Sequence, residues 1–178
     1  RYKEACAEKR QKYLEAISDI PKPDIVYIDE SGLDKNCYKQ RGWGKIGQKL
    51  IGKVSGKHIK RTNIIAGLCD NELIAPLMFQ GSCNTELFTA WVKQQLVPSL
   101  KKGQTVVMDN ASFHKSPKIR EAIEKAGCRL IYLPPYSPDL NPIEIFWANM
   151  KKWIKYHIPH ISNTWDAITQ FFNLKYST

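Results

Sequence analysis

A chain of 178 residues with ordinary apolar content can bury one hydrophobic core without disulfides or a structural metal. No apolar run approaches the roughly 20 residues that span a bilayer, which excludes a helical membrane protein. The formal charge of +10 and pI near 9.4 favour a polyanionic partner, and five cysteines without a CxxC pair suit packing roles in a reducing compartment better than a disulfide framework or zinc ribbon.

The opening RYKEACAEKR has neither an initiator Met nor the apolar core of a signal peptide, so an intracellular chain with an upstream part removed is expected. Residues 1–20 are expected to form a linker helix. Tyr2, Ala5, Tyr13, Leu14 and Ile17 are loosely periodic there, and Pro21 and Pro23 stop it. Residues 21–178 are expected to form one domain. DIVYID reads as a buried strand ending at Asp29, and stretches near 36–46, 48–54 and 60–68 alternate with glycine-bearing turns, as in an antiparallel meander. A helix is predicted over 84–97, with Asn84 as N-cap and Leu87, Phe88, Trp91, Val92 and Gln95 on one face. The strand QTVVMD follows, then a helix over 117–126 capped by Ser116 and closed by Gly127, then the strand CRLIYL. The loop PPYSPDLNP leads to a helix over 142–156, and a shorter helix is predicted over 163–173. This order describes an α/β mixed sheet, antiparallel and then parallel, flanked by helices.

Asp29 and Asp109 each end an apolar strand, where ligands of α/β sheets gather, and Glu144 lies one turn into the helix after the proline loop. Three carboxylates from separated positions suit hard cations, which take oxygen ligands and leave room for phosphate and water. Each also has an ordinary structural reading: Asp29 and Asp109 as turn residues, and Glu144 as the closing member of a capping box with Asn141 as N-cap.

YIDESG around Asp29, VVMDNASFH around Asp109 and LPPYSPDLNPIEIFW around Glu144 resemble the three signature blocks of mariner-like and related bacterial insertion-sequence transposases. Asp109 and Glu144 enclose 34 residues, a spacing similar to the Asp-Asp-Glu arrangement of that superfamily. The resemblance implies an RNase H-like catalytic domain and a metal-dependent DNA transposase. It would cleave transposon ends and join the 3′-OH to target DNA through two Mg²⁺ ions, with Mn²⁺ as substitute. It makes Asp29, Asp109 and Glu144 the metal ligands and gives Asn110, His114 and Asn141 supporting roles. Glu30 belongs to the first block, but strand alternation turns it away from Asp29, and it is left out of the ligand set. Double-stranded DNA and a homodimer on paired ends are the implied partners, in a bacterial, nucleoid-associated setting. The family's N-terminal helix-turn-helix region is not found in these residues, so sequence-specific end binding is not expected of this chain alone.

No acidic residue lies between Asp34 and Asp70, while Lys35, Lys39, Arg41, Lys45 and Lys49 open a dense basic run. Arg41, Lys45 and Lys49, with Lys151, Lys152 and Lys155 on the last long helix, are the expected phosphate contacts. Trp43 is assigned to the core, as are Ile143, Phe146, Trp147, Met150 and Ile154 by their helical spacing. The rival to an active transposase is an inactive RNase H-like module that binds DNA or dimerises.

Overall fold

The computed structural model describes residues 6–33, 61–157 and 164–176. Strands β1 (Ile25–Leu33), β2 (Thr62–Cys69), β3 (Glu72–Gln80), β4 (Thr105–Met108) and β5 (Arg129–Tyr132) form one sheet in the order β3-β2-β1-β4-β5. The β3–β2 and β2–β1 pairs are antiparallel; β1–β4 and β4–β5 are parallel. The helices are α1 (Ala7–Ser18), α2 (Thr85–Trp91), α3 (Val97–Ser99), α4 (Pro117–Lys125), α5 (Ile143–His157) and α6 (Thr164–Tyr176).

Alternation along the strands divides the core between two faces. Val26, Ile28, Ile65, Val106 and Met108 pack against Phe88, Trp91, Val92 and Leu96, and against Ile119 and Ile123 of α4. On the opposite face Leu33, Ile64, Ala66 and Leu68 meet Ile143, Phe146, Trp147, Met150 and Ile154 of α5 and Ala167 and Ile168 of α6. Tyr13 of α1 joins Ile25, Val107 and Leu133 on that second face, with Ile17 and Ile20 alongside. Leu14, expected on the packed side of α1, is 42% exposed, and its place is taken by Arg10, which is 8% exposed.

Strand β3 was not expected, because Pro76 interrupts its apolar run and proline is excluded from central strands. The chain accommodates it by placing β3 at the sheet edge, where the β2–β3 register shifts beside Ala75 and Pro76. Asp70 and Asn71, both with positive φ, make the tight turn that pairs β2 with β3. The stretches near 36–46 and 48–54, with Trp43, lie outside the described residues. Asn84 caps α2 as expected, its Oδ1 accepting from Leu87 N–H at 2.8 Å. Helix α2 then opens into a π turn at Val92–Leu96, after which Pro98 supplies no N–H; Leu96 rather than Gln95 is buried. Ser116 occupies the N-cap position of α4 without a side-chain cap bond, and Gly127, at φ 76°, closes that helix. Cys128 is buried and Cys6 exposed, so packing accounts for the first and not the second. Among the described residues no helix is long and apolar enough to cross a membrane.

Candidate active site

Asp29 does not end its strand: β1 runs on to Leu33, still paired with β2. What ends near Asp29 is the other neighbour, since β1 pairs with β4 only from Ile25 to Tyr27. The carboxylate thus sits where the parallel edge of β1 is vacated, on the face covered by α5. It is 9% exposed, and Trp147 Nε1 of α5 donates to its Oδ2 at 3.1 Å. Burial, followed by the charges of Glu144, Glu30 and Asp109, pushes the Asp29 carboxyl up to about 8.

Asp109 follows β4 directly. Its Oδ1 accepts from Ala111 N–H at 2.8 Å and from His114 Nδ1–H at 2.6 Å. His114 is fully buried on the 3₁₀ turn Ser112–Lys115, with the rings of Phe88 at 4.2 Å and Phe113 at 4.4 Å. Its other nitrogen, Nε2, donates to Glu30 Oε1 at 2.8 Å. Glu30 shares the β1 face of Val26 and Ile28, turned away from Asp29 as strand alternation requires. Burial alone would depress the imidazole, but hydrogen bonds to Asp109 and Glu30 and their charges outweigh it and hold His114 protonated, at about 9. Burial likewise opposes ionisation of Asp109, and the bonds from His114 and Ala111 overcome it, leaving that carboxyl below the usual range.

The third carboxylate, Glu144, stands in the first turn of α5, and the loop after β5 leads into that helix. Asn110 Nδ2 donates to Leu133 O, tying the turn after β4 to the start of this loop. Across it Arg10 of α1 donates through both guanidinium NH₂ groups to Asp139, at 2.9 and 2.6 Å. Asn141 turns its amide toward Ile28 O of β1 at 3.5 Å. The capping box that was the alternative reading of Glu144 is absent: Asn141 N–H is taken by Pro138 O, and Asn141 Oδ1 is buried without a partner. Glu144, one turn on, is exposed.

Asp29, Asp109, Asn110, Asn141 and Glu144 line one cleft of about 540 Å³, together with Lys115 and the segment 133–138. Among the described residues no three His, Cys, Asp or Glu side chains are grouped tightly enough to hold one metal ion unaided. The donor set nevertheless suits hard cations that also bind phosphate and water. The cleft is lined by carboxylate oxygens, Asp29 bears an excess of neighbouring negative charge, and Asn141 Oδ1 is left wanting a donor. His114 faces away from the cleft, behind Asp109. Lys152 and Lys155 are exposed on α5 and Lys151 is half-buried, while Arg41, Lys45 and Lys49 lie outside the described residues.

Residues 24–164 match the family described as DDE superfamily endonuclease. The chain belongs to that family. This DDE superfamily endonuclease is similar in structure to the Mos1 transposase paired-end complex with left transposon end, with a TM-score of 0.76 at 15% identity over 96% of this chain and 53% of that one. A Mos1 transposase catalytic domain with Raltegravir and Mg gives a TM-score of 0.61 at 14% identity over 96% and 80%. The five-stranded mixed sheet with flanking helices is their RNase H-like fold, as the sequence implied. An uncharacterized protein of Sinorhizobium fredii, y4pE/y4sA, is 35% identical over 54 residues, 30% of this chain and 38% of that protein. The DDE superfamily endonuclease chain therefore spans about half of the Mos1 transposase chain and less of the S. fredii protein.

Sequence reasoning missed three residues at this site. Glu30 could have been paired with His114, since both flank a proposed ligand and alternation puts Glu30 on the opposite face. Trp147, three residues after Glu144, was assigned to packing, although a buried indole N–H needs an acceptor. Lys115 carried no signal apart from its place directly after the second block.

Proposed function

We propose that residues 21–178 are the catalytic domain of a metal-dependent DNA transposase, with residues 1–20 as the helix leading into it, and that Asp29, Asp109 and Glu144 are its metal ligands. The observation that carries the reading is one cleft at the vacated edge of β1 lined by all three carboxylates. Asp29, Asp109 and Glu144 would hold two Mg²⁺ or Mn²⁺ ions, which would supply activation of water or a 3′-OH and charge neutralisation at the scissile phosphate. The chain's own residues orient these ligands. Trp147 fixes one oxygen of Asp29, and the Glu30–His114 pair and Ala111 N–H fix Oδ1 of Asp109. Asn110 and Asn141 hold the cleft loop to the turn after β4 and to β1. Lys115 faces the cleft, where a phosphate would meet its ammonium.

The proposed partners are double-stranded transposon ends and target DNA, bound by a homodimer in the bacterial nucleoid. Arg41, Lys45, Lys49, Lys151, Lys152 and Lys155 are the proposed phosphate contacts. Strand transfer of a pre-cleaved element-end oligonucleotide into plasmid DNA with Mg²⁺ or Mn²⁺ tests the reading. Products that disappear with Asp109→Asn are expected. DNA and metal binding with neither cutting nor joining, by this chain and by one extended at its N-terminus, would identify an inactive binding module instead.

A further inference from the structure

Helix α5 carries a second chemical feature at the end remote from Glu144. No carboxylate occurs between Glu144 and Asp166, while Lys151, Lys152 and Lys155 fall within that interval. Trp153 and His157 stack with centroids 4.0 Å apart and planes inclined by 21°, and His157 Nδ1–H donates to Trp153 O at 2.9 Å. Tyr156 meets the edge of His157 at 5.0 Å and is 72% exposed. Phe171 of α6, 5.6 Å from Trp153, braces the group. These three rings, with Asn149, Lys152 and Lys155, line a shallow and almost wholly apolar hollow of about 490 Å³.

An occupant must offer a flat apolar face to the rings and negative charge to the two ammonium groups on the rim. An apolar protein segment would meet the first demand and leave the lysines desolvated. A nucleotide strand meets both, because every base has a π-face and every link a phosphate. Lys155 connects this hollow to the cleft: it follows Glu144 by three helical turns and so lies on the same side of α5. From Glu144 to Tyr156 is about 18 Å along the helix at about 1.5 Å per residue, and Tyr156 is turned about a third of a circle from Glu144 at about 3.6 residues per turn. At about 3.4 Å per nucleotide of a duplex strand, the axial distance alone takes about five nucleotides, and the turn around the helix adds to it.

We propose that the Trp153–Tyr156–His157 hollow is a stacking site for an unpaired nucleobase of the DNA strand, five or more nucleotides from the scissile phosphate, with the flanking phosphates on Lys152 and Lys155. The placement relative to the cut rests on the cleft being the cleavage site; the stacking itself does not.

The test is fluorescence anisotropy of labelled single-stranded dT12 and of an abasic 12-mer with the same phosphates, binding to the unaltered chain, Tyr156→Ala, Tyr156→Phe and Lys152→Ala/Lys155→Ala. Tyr156→Ala is expected to weaken dT12 about tenfold and leave the abasic strand unchanged, while Tyr156→Phe restores dT12 binding. The lysine pair is expected to weaken both strands and to lower the salt slope by about 1.4, at about 0.7 per lost phosphate contact on a single strand. Equal affinity for dT12 and the abasic strand, or no effect of Tyr156→Ala, overturns the proposal. So does failure of the unaltered chain to bind either strand. Loss of self-association on sedimentation of Tyr156→Ala, with dT12 binding intact, would assign the hollow to a second copy of the chain and also overturn it. Strand transfer on the same preparations separates the two readings: a chain that stacks dT12 through Tyr156 but never cuts keeps this site and loses the catalytic one.

Discussion

Trp147 Nε1 donates a 3.1 Å hydrogen bond to Asp29 Oδ2, joining the helix that carries one proposed metal ligand to the strand that carries another. The indole is 1% exposed and packs edge-on to Phe146, so packing and orientation are served by one side chain. Trp147→Phe keeps most of the packing and removes the donor. A stability loss of about 1 kcal/mol is expected, with about a tenfold fall in Mg²⁺ affinity measured by calorimetry. Unchanged Mg²⁺ binding would show that Asp29 needs no help from α5.

The raised carboxyl of Asp29 makes the metal-free protein sensitive to alkali. Its folded value of about 8 lies above the ordinary 3.8, so the stability it contributes is complete below 3.8. That contribution is lost as pH rises to about 8, because the unfolded chain ionises a group that the fold keeps protonated. Metal-free Asp29→Asn should melt higher than the unaltered chain at pH 8, and Mg²⁺ should raise the melting temperature of the unaltered chain far more than that of the variant. Parallel melting curves for the two, with and without Mg²⁺, would remove Asp29 from the ligand set.

His114 works in the opposite chemical sense within an overlapping window. Its folded value of about 9 exceeds 6.5, so its contribution is full below 6.5 and fades as pH rises through about 9. His114→Gln should be markedly less stable at pH 6 and should lose most of its deficit by pH 10. His114→Ala, which leaves two carboxylates without their shared partner, is expected to cost about 3 kcal/mol or more. Chemical denaturation across pH 6–10 would reveal a constant deficit if the ring served only as filling between Phe88 and Phe113.

Several of these relationships were beyond the reach of a sequence. The helices and strands from residue 84 onward were legible because Asn84, Gly127 and the proline loop punctuate clear periodic runs. The cleft was legible only through three motif blocks, since the contacts that join the blocks are distant in sequence: Trp147 is 118 residues from Asp29, and Glu30 is 84 from His114. Strand β3 was hidden because Pro76 obeys the rule for edge strands, and edge position is a property of the sheet. Arg10 likewise resembled one more surface cation until α1 placed it against Asp139.

That ion pair gives a fourth prediction. Arg10 holds the Asp139 carboxyl below the usual range, first through the hydrogen bond, so its contribution is present above the ordinary carboxylate value and lost as pH falls through the depressed one. Arg10→Ala should return Asp139 to an ordinary titration by NMR and make α1 more readily cut by protease. The charge exchange Arg10→Asp/Asp139→Arg should restore protease resistance; if it does not, α1 is held by Tyr13 and Ile17 alone.

The cleft draws on β1, on the turn after β4 and on the start of α5, which are far apart along the chain. During synthesis β1 paired only with its antiparallel neighbour β2 would present Asp29 and Glu30 without Asp109 or His114, which would join when β4 slots in beside β1. Of the residues named at the cleft, Glu144 and Trp147 emerge from the ribosome last. On the proposed ligand set, growing polypeptides and fragments truncated before α5 hold an incomplete site, and the third carboxylate arrives in a single step with the docking of one helix.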